Sequence, residues 1–177
     1  MKLDVLPNST SPADADAWYA RGLRFTCTQC GNCCTGGPGY VWISVEEIVR
    51  LAKHLSLTPE EVVERYCRKV DGKFSLRERR NARGEHDCIF LEEQAARRRT
   101  PGQTITYTRR VCTIYSVRPL QCRTWPFWTE NLRDEATWNR SSQRCPGMNV
   151  GKRYTHEQIV ALRDARDWPD KPPTSGR

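Results

Sequence analysis

A chain of 177 residues with a formal net charge of +8 is one ordinary domain by length, with a modest core. Leu, Ile, Val and Phe number only 32, about 18% of the chain, below the roughly 20% under which a charged chain tends toward disorder, so aliphatic burial alone does not hold this fold. No run of about 18 apolar residues occurs, which excludes a membrane-spanning helix.

Residues 1–16 are polar and carry Pro7 and Pro12, so they read as a flexible lead-in to a single domain over 17–166, with a second flexible segment at 167–177. The stretch DAWYARGLRF predicts a short helix or turn that delivers Trp18, Tyr19, Leu23 and Phe25 to the core. Ser44 with Glu47 forms a capping box, followed at helical spacing by Val45, Ile48, Leu51, Ala52 and Leu55. Thr58, Pro59 and Glu61 repeat the signal before Val62, Val63, Tyr66, Cys67 and Val70, which predicts an αα-hairpin. Thr155 and Gln158 cap a third helix carrying Ile159, Leu162 and Ala165.

Strands are expected at YVWI (40–43), DCIFL (87–91) and TITYTRRVCTIY (104–115), the last two pairing as a hairpin. Their connector EEQAARRRTPGQ is charged and ends in Pro101-Gly102, and is expected as an exposed loop. The whole reads as a small, irregular α+β domain in which an αα-hairpin and a short β-hairpin surround a cysteine-ligated metal centre.

Nine cysteines make up about 5% of the chain, short of a secreted disulfide scaffold, and their number is odd. The first 18 residues carry charges and prolines where a signal peptide needs an apolar run. The expectation is a cytoplasmic protein, where clustered cysteines serve as metal ligands or redox groups.

The dense segment is Phe25-Thr-Cys27-Thr-Gln-Cys30-Gly31-Asn-Cys33-Cys34. Two overlapping C-x-x-C units share Cys30, and a two-residue gap lets a tight turn bring both sulfurs to one metal. Gly31 suits the positive φ that such turns need. Cys88, Cys112, Cys122 and Cys145 complete a set of eight candidate ligands, enough for two tetrahedral sites or for one four-cysteine cluster and a second site. Cys67 lies on the apolar stripe of the second predicted helix and is read as core.

Adjacent Cys33 and Cys34 are expected to diverge and serve different centres, with Cys27, Cys30 and Cys33 joined by one distant cysteine and Cys34 by the other three. Zinc suits a closed four-thiolate site. The C-x-x-C-x-x-C run with a remote Cys-Pro also matches in part the ferredoxin pattern, where three close cysteines share a [4Fe–4S] cluster. The C-x-x-x-C-x-x-C spacing of radical-SAM enzymes is absent.

Phe25-x-Cys27-x-x-Cys30-Gly31-x-Cys33-Cys34, Cys88 before Phe90-Leu91, and Cys112-x-Ile114-Tyr115-x-x-Arg118-Pro119-x-x-Cys122-Arg123-x-Trp125-Pro126-Phe127 together closely resemble the YkgJ-type cysteine-cluster family. That family carries the CxxCxxCC domain, to which chelation of zinc or iron is ascribed. Similar clusters occur in flagellin lysine N-methylases, so the resemblance implies, as an alternative, a redox or protein-modification component. This chain departs from the pattern by an Arg-rich insertion around 92–108.

Four thiolates around a divalent ion or a [4Fe–4S]²⁺ core carry net −2, and Arg118 and Arg123 flank Cys122 where they can offset that charge. Trp125, Phe127 and Trp128 are expected as a hydrophobic wall shielding the site.

The basic balance invites a second alternative, a nucleic-acid-binding module built on Arg77, Arg79, Arg80, Arg83, Arg97 to Arg99, Arg109 and Arg110. Eight thiolates and two divalent ions would remove four charges from the formal +8, leaving about +4, ordinary for a soluble domain. The arginines look loop-bound and interspersed with Glu, so they read as a solvated face. His54 and His156 read as surface residues and His86 as a hydrogen-bonding turn residue. H-E-x-x-H, G-x-S-x-G and phosphate-binding glycine loops are missing, so hydrolase chemistry finds no support.

Overall fold

The computed structural model describes residues 16–169. The lead-in at 1–16 and the tail at 167–177 fall outside the described residues, apart from Asp16 and residues 167–169. The fold is α+β, as expected, and its contacts gather into two compact units.

Unit one takes in the described residues up to Thr28 and Arg123–Asp167. β1 (Leu23–Phe25) pairs antiparallel with β9 (Met148–Tyr154), and three helices accompany them: α4 (Thr129–Leu132), α5 (Glu135–Ser142) and α6 (His156–Asp164). The Thr155–Gln158 capping box that starts α6 is present in full. The core is aromatic, with Tyr19, Phe25, Phe127 and Trp138 buried among Leu132, Met148 and Ile159. Phe127 stacks on Trp138 with ring centroids 5.9 Å apart and meets Phe25 edge-on at 6.0 Å. Large rings bury much area per residue, so they supply what the sparse aliphatic content lacks.

Unit two is Gln29–Cys122 with Trp168 and Pro169. Its core joins Ile48, Leu51 and Ala52 of α1 (Val45–Leu55) to Val62 of α2 (Pro59–Tyr66), Leu76 and Phe90. Both capping boxes are formed, at Ser44–Glu47 and Thr58–Glu61. The helical hairpin is shorter than expected. α2 stops at Tyr66, and Cys67–Val70 instead form β3, paired with β4 (Lys73–Leu76), which also pairs with β2 (Val41–Ile43). Val45 does not join the apolar stripe but lies 62% exposed, while Glu47 is buried.

The stretch around DCIFL divides. β6 (His86–Cys88) pairs with β5 (Glu78–Arg80), so His86 sits in a strand opposite Arg80 rather than in a turn. The expected loop 92–103 is also corrected. β7 (Leu91–Thr100) and β8 (Gln103–Cys112) form one long antiparallel ribbon, in register from Leu91 opposite Cys112 to Thr100 opposite Gln103. Its turn is Pro101-Gly102 as expected, Gly102 taking φ 78°. The sequence hides β7 because neither face of the ribbon is buried, so no apolar alternation marks it. α3 (Leu120–Thr124) completes the elements.

Candidate metal centre

The local fold of the dense segment starts from Gly31, whose φ of 73° opens a 3-10 turn over Asn32–Cys34, closed by the Cys34 N–H donating to the Gly31 carbonyl at 3.0 Å. A Cβ on Gly31 would lie 2.8 Å from Leu91 Cδ1 and 3.0 Å from Arg110 Cβ, so the turn packs directly on the root of the β7–β8 ribbon. The Arg110 guanidinium donates to Asn32 Oδ1 from that ribbon. This turn brings Cys33 Sγ and Cys34 Sγ to 3.7 Å, against the expected divergence.

Three further cysteines share their surroundings, each fixed by a different element. Cys88 ends β6, Cys112 ends β8 opposite Leu91, and Cys122 lies on α3. The charges of Cys88 and Cys122 act on Cys34, while Cys33 and Cys112 act on both Cys88 and Cys122. A hydrogen bond from Cys34, supported by Arg118 and Arg110, draws the Cys33 thiol down to about 7. The same shared proton, with burial, holds Cys34 far above the usual thiol range. Burial pushes Cys88 up to about 11 and Cys122 well up. Cys34, Cys88 and Cys122, all raised by burial and by neighbouring thiols, ionise readily only beside a further positive charge, of the kind a metal ion would supply.

Arg118 lies in electrostatic reach of Cys33 and Cys122. Its guanidinium lies 3.6 Å from the Tyr115 ring centre, and its Nε donates to the Tyr115 carbonyl at 2.9 Å. Arg123 is exposed in the last turn of α3, and Arg110 is the residue that joins Arg118 in lowering Cys33.

Cys27 and Cys145 belong to unit one, packed against its aromatic core. The Trp125 indole N–H donates to Cys145 Sγ at 3.5 Å, and Trp125 meets Trp128 edge-on at 4.8 Å. Phe127 is core rather than wall. Cys30 is half-buried in unit two. Cys67 is 2% exposed within the core of that unit, where burial raises its thiol to about 11. No disulfide joins the nine cysteines. His54 is exposed as expected, whereas His156 is half-buried and stacks on Tyr19 at 5.7 Å.

Among the described residues, no three His, Cys, Asp or Glu side chains stand as a ready coordination shell. The donor set nonetheless fits a thiophilic ion in kind. Two sulfurs on one tetrahedral ion are about 3.8 Å apart at a metal–sulfur length of about 2.3 Å, and Cys33 and Cys34 stand at 3.7 Å.

Two residues that position this centre carry no sequence signal beyond a helix cap. Glu47 Oε2 accepts from Ser44 N–H at 3.2 Å, while its Oε1 accepts from Leu120 N–H at 2.7 Å. The buried Gln121 side chain accepts from Trp42 N–H at 2.7 Å and donates to the Tyr40 carbonyl at 3.2 Å. Together they fix the segment that carries Cys122 against β2 and α1.

The comparisons with known proteins agree with the spacing. The domain described as CxxCxxCC, "Putative zinc- or iron-chelating domain", matches residues 26–146. An uncharacterized protein of Methanocaldococcus jannaschii is 28% identical over 109 residues, which is 62% of this chain and 48% of that protein, so the chain spans about half the length of this relative. No solved structure matches. No helix among the described residues is long and apolar enough to cross a membrane. With more than half of its length matched, the chain belongs to the CxxCxxCC family.

Proposed function

We propose that the protein chelates a single zinc or iron ion through thiolates drawn from Cys33, Cys34, Cys88, Cys112 and Cys122, in the reducing cytoplasm. The observation that carries this is the 3.7 Å separation of the Cys33 and Cys34 sulfurs, with three more thiols in their electrostatic reach. That separation favours one shared ion over a cluster, because each thiolate of a [4Fe–4S] centre binds its own iron. When bound, the ion supplies a tetrahedral crosslink that neutralises thiolate charge. Arg118 and Arg110 offset the negative charge that remains, Gly31 shapes the turn, and Glu47 and Gln121 hold the Cys122 segment in place. Cys27, Cys30 and Cys145 are the further ligand candidates of the eight-thiolate set.

The test is elemental analysis with a UV–visible spectrum on protein purified anaerobically without added metal. One zinc or iron per chain, without a broad band near 400 nm, is the expected result. Two ions per chain would overturn the single-ion reading. About four irons with sulfide and a visible band would replace this reading by an iron–sulfur redox or modification component, and metal-free, fully folded protein would overturn chelation.

A further inference from the structure

The β7–β8 ribbon is the least explained part of the fold. Ten residues per strand make an arm about 33 Å long, rooted where Leu91 pairs with Cys112. Its residues are exposed along nearly the whole length, and the acids are confined to its root at Glu92 and Glu93. From Gln94 to Arg110 there is no Asp or Glu, while Arg97, Arg98, Arg99, Arg109 and Arg110 are all present. The expectation that these arginines are interspersed with Glu therefore fails for the outer arm.

Register distributes the charge in an informative way. Alternation puts Arg97 and Arg99 on one face with Thr104, Thr106 and Thr108. The other face carries Arg98 beside Ile105 and Arg109 beside Gln94, with Tyr107 between them. Ile105 and Tyr107 are 42% and 47% exposed, on a face with nothing packed over it among the described core residues. A partner lying flat on the arm would engage one face only. A ribbon inserted in a duplex groove has a phosphate backbone on each side, and that arrangement uses arginines on both faces. A two-stranded ribbon also fits the major groove of B-DNA, about 12 Å wide.

We propose that the β7–β8 arm is a duplex-DNA-binding element that enters a groove and grips both backbones. Guanidinium groups bind phosphate oxygens in a bidentate manner, the threonine hydroxyls donate to the same backbone, and Ile105 and Tyr107 give apolar contact inside the groove.

The experiment is fluorescence anisotropy of the full chain with a labelled mixed-sequence 24-base-pair duplex, the matching single strand, and labelled polyglutamate, over 50–200 mM salt. Duplex binding in the micromolar range, weakening about 100-fold across that salt range, is expected from about four neutralised phosphates. Arg97→Gln with Arg99→Gln, and separately Arg98→Gln with Arg109→Gln, each halve the salt slope and leave the far-UV CD and metal content unchanged. Loss confined to one pair would refute groove insertion. Tighter binding of the single strand, equal binding of polyglutamate, or duplex binding indifferent to all four arginines would overturn the proposal, as would no binding at 50 mM salt. Should a double variant misfold, the four single Arg→Gln variants give the same readout, each lowering the slope by about 0.9.

Discussion

The Glu47 carboxylate, buried in the first turn of α1, accepts the backbone N–H of Leu120 from a residue 73 positions later in the chain. One side chain therefore caps a helix and fixes the segment that carries Cys122. Glu47→Ala leaves the N–H groups of Ser44 and Leu120 without their acceptor, and the loss of charge-assisted bonds costs about 2–3 kcal/mol. Urea denaturation measures that loss. Metal retention under a competing chelator is expected to fall with it, and Glu47→Gln, which keeps one amide oxygen, to fall less.

Gln121 offers a sharper chemical contrast. Its amide serves Trp42 N–H and the Tyr40 carbonyl at once. Gln121→Ala orphans both, at roughly 1–3 kcal/mol for each buried group left unsatisfied. Gln121→Glu preserves the acceptor for Trp42 but sets a carboxylate oxygen against the Tyr40 carbonyl. A melting temperature for the Glu variant above that of the Ala variant would show that the donor half of the amide contributes little.

Gly31→Ala tests the turn. At φ 73° an alanine is strained by about 1–2 kcal/mol, and its Cβ would meet Leu91 and Arg110 inside normal contact distance. Both effects move the Cys33–Cys34 turn away from the ribbon root. Weaker metal binding with little change in unit-one aromatic near-UV CD is the expected outcome.

Cys67 separates a core thiol from a ligand thiol. It is 2% exposed among aliphatic side chains, so Cys67→Ala costs roughly 1 kcal/mol of packing and leaves the metal content per chain unchanged. Cys122→Ser is expected to lose metal, and removal of the metal from the wild type by a competing chelator to lower the melting temperature and change the near-UV CD of unit two.

A pH effect independent of the cysteines comes from Asp134, the N-cap of α5. Hydrogen bonds from Thr137, then the Arg133 guanidinium, lower its carboxyl from 3.8 to about 2. A lowered folded-state value means that the cap stabilises fully above the unfolded value and is lost as pH falls through the folded one. Acid titration of α5 helicity between pH 4 and pH 2 measures this, and Asp134→Asn removes the pH dependence while keeping the cap. The carboxyl faces solvent, so salt weakens the contribution of Arg133.

Much of the local structure is decided by neighbours in the chain, and there the sequence is sufficient. Ser44–Glu47, Thr58–Glu61 and Thr155–Gln158 each announce a helix start, because a cap is a contact over three residues. The spacing from Cys27 to Cys34 likewise identifies the family, since ligand chemistry fixes both residue type and interval. Long-range choices are different. Nothing near Cys33 and Cys34 says that their sulfurs lie 3.7 Å apart, because a turn at Gly31, pressed on Leu91 and Arg110, sets that distance. The strand character of 91–100 is equally invisible locally, since an arm exposed on both faces has no buried side to impose alternation and takes its shape from pairing with β8. Sequence determines the family to which the chain belongs and where its helices begin; only tertiary pairing decides which thiols come together and where the arginines point.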